Sequence, residues 1–164
     1  MSVIRAAEPR DAAAIVGLIR RLAAFERAPG TIALTEGTVR RDAFGPHRRF
    51  RVLLAELDDV PCGLVTLLDS YSSWAGAPAM TIHDLFVDEA ARGRGLGRHL
   101  LAEAARLALA EGCCRLDVNM LDWNEPGRRF YRSLGLAALD GWLPHRLDGA
   151  GLQALSVPAG ANGG

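Results

Sequence analysis

The stretch that decides the fold is Met80-Thr81-Ile82-His83-Asp84-Leu85-Phe86-Val87, then Asp88-Glu89-Ala90-Ala91, then Arg92-Gly93-Arg94-Gly95-Leu96-Gly97. Its first eight residues read as a strand. From Leu96 the period changes, and Leu96, Leu100, Leu101, Ala104, Leu107 and Ala108 fall on one helical stripe that ends before Gly112. A glycine-rich turn between a strand and a helix is the physical recipe for binding phosphate. Glycine brings backbone amides close to the ligand, and the helix start offers unpaired N–H groups and the positive end of its dipole. Arg92, Arg94 and Arg98 add charge around Gly93, Gly95 and Gly97. The bland alternative is a plain glycine turn with arginines in solvent. Within the strand the parity breaks: Met80 and Ile82 share one face, but Leu85 and Val87 continue on the other parity. Such a slip predicts a β-bulge, which leaves backbone groups unpaired for a ligand.

Two other phosphate motifs do not fit. A P-loop requires Gly-Lys-Ser/Thr, and the chain contains no Lys. A dinucleotide fingerprint places its glycine turn in the first βα unit, with an acidic residue about 20 positions later. Here the turn follows several strands.

Outward from this stretch, strands are expected over 3–6, 50–57 and 62–71, and further ones over 115–120, 138–147 and 152–157. Pro9 suits a first helical turn, Ile15, Leu18, Ile19 and Leu22 make one apolar helical face, and Ala28-Pro29-Gly30 stops that helix. Thr35 caps a second helix reaching about Phe44. Asn124 can cap a last helix through Leu134, with Gly135 as its stop. The result is an α/β chain with a mixed central sheet and helices on its faces.

Composition narrows the classes. The 164 residues fit one domain, here 1–157 with a disordered tail 158–164, and 49% apolar content excludes a disordered chain. Nineteen basic and nineteen acidic side chains cancel, which gives no nucleic-acid footprint. All the basic ones are Arg, as base composition of a genome would produce. No apolar run approaches the roughly 18 residues of a membrane helix. Cys62, Cys113 and Cys114 have no zinc-like spacing, so reduced thiols in a cytoplasmic, metal-free protein are expected.

Arg92-x-x-Gly95-x-Gly97 after the strand resembles the acyl-CoA motif of the GNAT acetyltransferase superfamily, Gln/Arg-x-x-Gly-x-Gly/Ala. Asp122-Trp123-Asn124-Glu125-Pro126 and Phe130-Tyr131 resemble its second cofactor segment. The opening Ile4-Arg5-x-Ala7, Leu22-Ala23-x-Phe25-Glu26, Phe44-Gly45, Tyr71-x-x-Trp74 and Gly141-Trp142 are similar to the diamine (spermidine/spermine) and thialysine acetyltransferases. The resemblance covers nearly the whole chain. It implies a GNAT fold with a splayed strand pair, acetyl-CoA as donor, and a homodimer whose active site is shared between chains.

Three chemical demands follow: a deprotonated amine, a polarised thioester carbonyl and a proton for the leaving thiolate. By resemblance Tyr131 supplies the proton, the alternative being a hydroxyl that orients the cofactor. Backbone N–H groups around Leu85, Phe86 and Val87 suit the thioester oxygen. Arg92, Gly93, Arg94, Gly95, Leu96 and Gly97 hold the pyrophosphate, Arg94 or Arg98 is within reach of a 3′-phosphate, and Asn124 holds the pantetheine or caps its own helix. At His83 the polyamine enzymes carry Glu, while Asp84 matches their adjacent Asp. An imidazole titrates nearer neutrality than a carboxylate, so His83 is a candidate base or substrate contact, against a packed strand histidine. Ser72 stands where those enzymes tend to have Asp. Glu26, Asp84 and Trp74 remain for the acceptor, which favours a diamine, a lysine-like amino acid or another small primary amine over a polyamine. Acetylation of a protein N-terminus or lysine, and a non-catalytic acyl-CoA-binding module, are the alternatives.

Overall fold

The computed structural model describes residues 1–28, 30 and 32–157. The expected tail 158–164, and the Pro29 of the expected helix stop, lie outside the described residues. Two compact units follow one another, Met1–Arg128 and a second beginning at Arg129.

The first unit holds a five-stranded sheet in chain order: β1 (Ser2–Ala6), β2 (Arg51–Leu57), β3 (Val60–Ser72), β4 (Ala77–Val87) and β5 (Leu116–Val118). The first four strands are antiparallel, and β5 joins β4 in parallel. Leu57 pairs with Val60 across Asp58 and Asp59, both left-handed at φ 49° and 64°. That is the backbone a two-residue turn needs to match the twist of its strands.

Helix α1 (Ala12–Phe25) buries Ile15, Leu18 and Leu22 at helical spacing, and α2 (Glu36–Phe44) buries Val39 and Ala43. They form one cluster with Val52, Leu54, Leu64 and Phe86 of the sheet. Each large side chain buried in this way contributes about 1.5–3 kcal/mol. The expected cap of α2 is present, since Thr35 accepts from the Thr38 amide at 3.2 Å. Helix α3 (Leu96–Ala110) buries Leu96, Leu100, Leu101, Ala104 and Ala108, none of which belongs to that cluster. It covers the opposite face of the sheet.

The bulge expected from the parity break is at His83. Thr66 pairs with Asp84, the next pair is Leu67 with Ile82, and His83 is the extra residue between them. Leu85 and Val87 therefore return to the face of Met80 and Ile82, while Phe86 turns into the α1–α2 cluster. Strand β5 pairs only with Met80, Thr81 and Ile82, whereas β4 runs on to Val87. The two strands part beyond Ile82, and β5 is shorter than the expected 115–120.

The last two expected strands are not formed. Residues 138–147 carry no regular structure, and 152–157 falls largely within α5 (Gly149–Ser156). Its sequence Leu152-Gln153-Ala154-Leu155 consists of good helix formers, and Asp148 precedes the helix with an extended backbone. An apolar run this short suits either state. Helix α4 (Glu125–Ser133) closes as expected at Gly135, where the Leu136 amide reaches Tyr131 O and the Gly135 amide reaches Arg132 O.

Candidate active site

Val87 ends β4, and a 3₁₀ turn, Glu89–Ala91, carries the chain to the cradle. Gly93 and Gly95 both have positive φ, 76° and 77°, conformations that a side chain would strain. Gly95 is the N-cap of α3 and gives it no side-chain cap. The first-turn N–H groups of α3 are thus left to an outside acceptor. Gly97 is second in the helix. Arg94 and Arg98 are exposed and make no salt bridge among the described residues. Glycine backbone, uncapped helix start and exposed arginines fit a pyrophosphate.

Arg92 is committed differently from its neighbours. Its Nε donates to Val87 O at 3.0 Å, and its guanidinium lies 5.0 Å from the Phe25 ring and 5.9 Å from that of Phe86. Phe25 lies 6.4 Å from Trp123, over which Arg27 is placed at 5.6 Å. Arg21 adds paired bonds to Asp88 at 2.7 and 3.2 Å. The end of α1 is thereby fastened to the end of β4, next to the cradle.

A second group of polar side chains gathers at the bulge. Asp84 faces the side covered by α1, as do its cross-strand partner Thr66 and the alternating Leu64. His83 Nδ1 is 3.0 Å from Asp84 Oδ2, which also accepts from the Thr66 hydroxyl. Glu26 caps the end of α1 on the same side. Burial first, then the Asp84 charge, push its carboxyl above the usual carboxylate range, against the pull of His83. An acidic, partly desolvated group of this kind is suited to an ammonium, which would bring Glu26 back to its ionised form.

The structure brings Glu26, His83 and Asp84 together, and Trp74 stands apart from them. Trp74 is 96% exposed in the turn beyond Ser72, which pairs with Ala77 at the far end of the hairpin. Six steps along β3 lead from Thr66 to Ser72, about 20 Å of strand. Ser72 is buried and accepts from Ala75 N and Arg115 Nη1, both at 3.2 Å, so it locks the hairpin turn. Asn124 accepts from the Gly127 amide at 3.0 Å and caps α4. Tyr131 is half-buried on α4, in the second unit, its ring edge-on to Phe130 at 5.4 Å. Sequence reasoning missed Thr66, whose only signal was its place opposite the parity break, and the contacts of Arg92 with the Phe25 and Phe86 rings.

A family model described as Acetyltransferase (GNAT) family matches residues 19–136. The chain belongs to the GNAT acetyltransferase family. It is 31% identical to the thialysine N-epsilon-acetyltransferase of Mus musculus, over 93% of this chain and 96% of that one. It is 32% identical to the spermidine/spermine N(1)-acetyltransferase-like protein 1 of Homo sapiens, over 85% of this chain and 21% of that longer protein. The solved structure of an integron cassette protein from the mobile metagenome of V. cholerae superposes with a TM-score of 0.79. It has 26% identity and covers 94% of this chain and 96% of its own. This GNAT enzyme is an acetyl-CoA-dependent N-acetyltransferase. No helix of the described residues is long and apolar enough to cross a membrane.

Proposed function

We propose that this GNAT enzyme moves the acetyl group of acetyl-CoA directly, in a ternary complex, to a primary amine of a small molecule: a diamine, a polyamine or a lysine-like amino acid. The observation that carries the reading is the Glu26–His83–Asp84 group at the bulge, on the strand that leads into the phosphate cradle. An ammonium held by Glu26 meets a base at the point where β4 parts from β5. The relatives named for thialysine and for spermidine/spermine support the same acceptor class.

Acetyl-CoA supplies an acyl group activated as a thioester. The first turn of α3 with Arg94 and Arg98 would hold its pyrophosphate, with Arg92 bracing the turn. Asn124 and the backbone of Leu85, Phe86 and Val87 would hold the arm, and their N–H groups would polarise the carbonyl. His83 removes the proton from the acceptor ammonium, and the Tyr131 hydroxyl gives one to the departing sulfur.

The chain acts as one domain, in the cytoplasm, and as a homodimer. Support for the dimer comes from exposed apolar side chains of the second unit, Leu139, Trp142, Leu143 and Leu155. In a dimer Trp74 reaches the acceptor from the partner chain, which its distance along β3 from Asp84 otherwise prevents. Sedimentation showing only monomer at micromolar concentration would exclude this.

The test is release of free CoA thiol across amines from putrescine and spermidine through lysine and thialysine to peptides. Turnover of small amines is expected. Turnover of peptides alone, or of no amine, would defeat the assignment.

A further inference from the structure

Neighbouring residues of a strand point to opposite faces, so their side chains do not normally meet. His83 and Asp84 meet because the bulge gives β4 one residue more than β3 at the Thr66–Leu67 step. The contact is linked to two further hydrogen bonds. Thr66, only 3% exposed, accepts the Asp84 amide on Oγ1 at 3.0 Å. Its hydroxyl proton is thereby directed to Asp84 Oδ2, 2.5 Å away. A hydroxyl that donates to a carboxylate leaves that carboxylate an acceptor toward its other neighbour. That neighbour is His83 Nδ1, at 3.0 Å.

We infer that Thr66 and Asp84 are positioning residues that keep the neutral His83 ring protonated on Nδ1, so that Nε2 is the atom that takes the acceptor's proton. This rests on the amine-acetyltransferase reading above. In the step, Nε2 takes H⁺ from the ammonium, and the freed amine forms the new C–N bond as the C–S bond breaks. The thiolate leaves as thiol, and the proton it takes up is balanced by the second proton that the acylated nitrogen loses. The net proton departs through His83. The imidazolium is flanked by Asp84 on its own strand and by Glu26 at the end of α1, and the neutral Thr66 on β3 holds Asp84. A half-buried carboxylate here orients a histidine base, the role a carboxylate plays beside the histidine of a catalytic triad.

The test joins nitrogen-15 NMR of the histidine rings with pH–rate profiles for the wild type, Asp84→Asn, Thr66→Val and Thr66→Ser. Expected is an Nδ1–H ring in the wild type and loss of that preference in Asp84→Asn, with kcat down about 100-fold or more. Thr66→Val should lower kcat about tenfold and shift the pH limb without changing KM for acetyl-CoA, and Thr66→Ser should restore both. Thermal melting identifies any variant that loses its fold, and the wild-type tautomer decides the matter independently of all of them. An Nε2–H ring in the wild type overturns the inference. So does an Asp84→Asn variant that raises only KM for the amine, which would make Asp84 a simple substrate contact. An Nδ1–H ring in a chain that acetylates no amine overturns the functional reading while leaving the tautomer assignment in place.

Discussion

Replacing Gly95 by Ala separates the cost of bending the cradle from the cost of emptying it. Gly95 has φ 77°, and a Cβ built there meets nothing nearer than the His99 ring at 3.8 Å. The fold therefore pays only for a left-handed alanine, about 1–2 kcal/mol. For a chain of this length each kcal/mol lowers Tm by about 2–4 °C, so a fall of about 2–8 °C is expected. Donor binding should suffer more. The new methyl stands at the uncapped start of α3, where losing one hydrogen bond to a charged phosphate costs about 1.5–3 kcal/mol. That is about a 10- to 150-fold rise in Kd. Gly76→Ala is the control: φ is 61°, nothing lies within 4 Å, and it sits in the β3–β4 turn with Trp74, at the other end of the hairpin. It should show a similar fall in Tm with unchanged affinity. The assay is calorimetric titration with coenzyme A beside thermal denaturation. A Gly95→Ala protein that melts early yet binds coenzyme A as the wild type does would refute the cradle.

Three further outcomes are expected. Asp11 takes two bonds from Arg5, at 2.7 and 2.9 Å, and these hold its carboxyl below the usual carboxylate range. A lowered carboxylate stabilises above its unfolded pKa of about 3.9 and loses that contribution as pH falls through the folded value. Asp11→Asn should thus cost about 3 kcal/mol in urea denaturation at pH 7 and flatten the decline below about pH 4. Glu26 has the opposite sign: its raised pKa means that the ionised form opposes folding above the unfolded value, so Glu26→Gln should hold or raise Tm at pH 7.5. The same change should raise KM for the amine about tenfold and spare that for acetyl-CoA, and an unchanged amine KM would remove Glu26 from the acceptor site. Arg92→Lys keeps the charge but loses the guanidinium's contacts with the Phe25 and Phe86 rings and the Nε bond to Val87. It should cost about 1 kcal/mol in thermal melts and several-fold in donor KM.

What sequence revealed, and what it concealed, divides along the range of the interaction. Gly93 and Gly95 could be read because backbone strain is local to each residue. The bulge could be read because one skipped residue inverts the parity of everything after it, as Leu85 and Val87 record. Thr66 could not be tied to Asp84 in advance, since the pairing depends on a register between strands 18 residues apart. Arg92 was legible as a cation but not as a brace, because Phe25 and Phe86 reach it from α1 and from β4. Residues 152–157 were misread because a short apolar run carries no period long enough to separate strand from helix.

Since the strands lie in chain order, a nascent chain lays down β1 to β4 before β5 exists, with all of α3 still to come between them. Through that interval β4 is the open margin of a growing sheet, the kind of edge on which other chains nucleate aggregates. An inserted residue with a side chain 64% exposed spoils that edge for a foreign strand, because no straight ladder can pass His83. The irregularity that aims an imidazole also guards the unfinished protein. Deleting His83 to straighten β4 should therefore lower the soluble yield on synthesis more than it lowers the melting temperature of whatever folds.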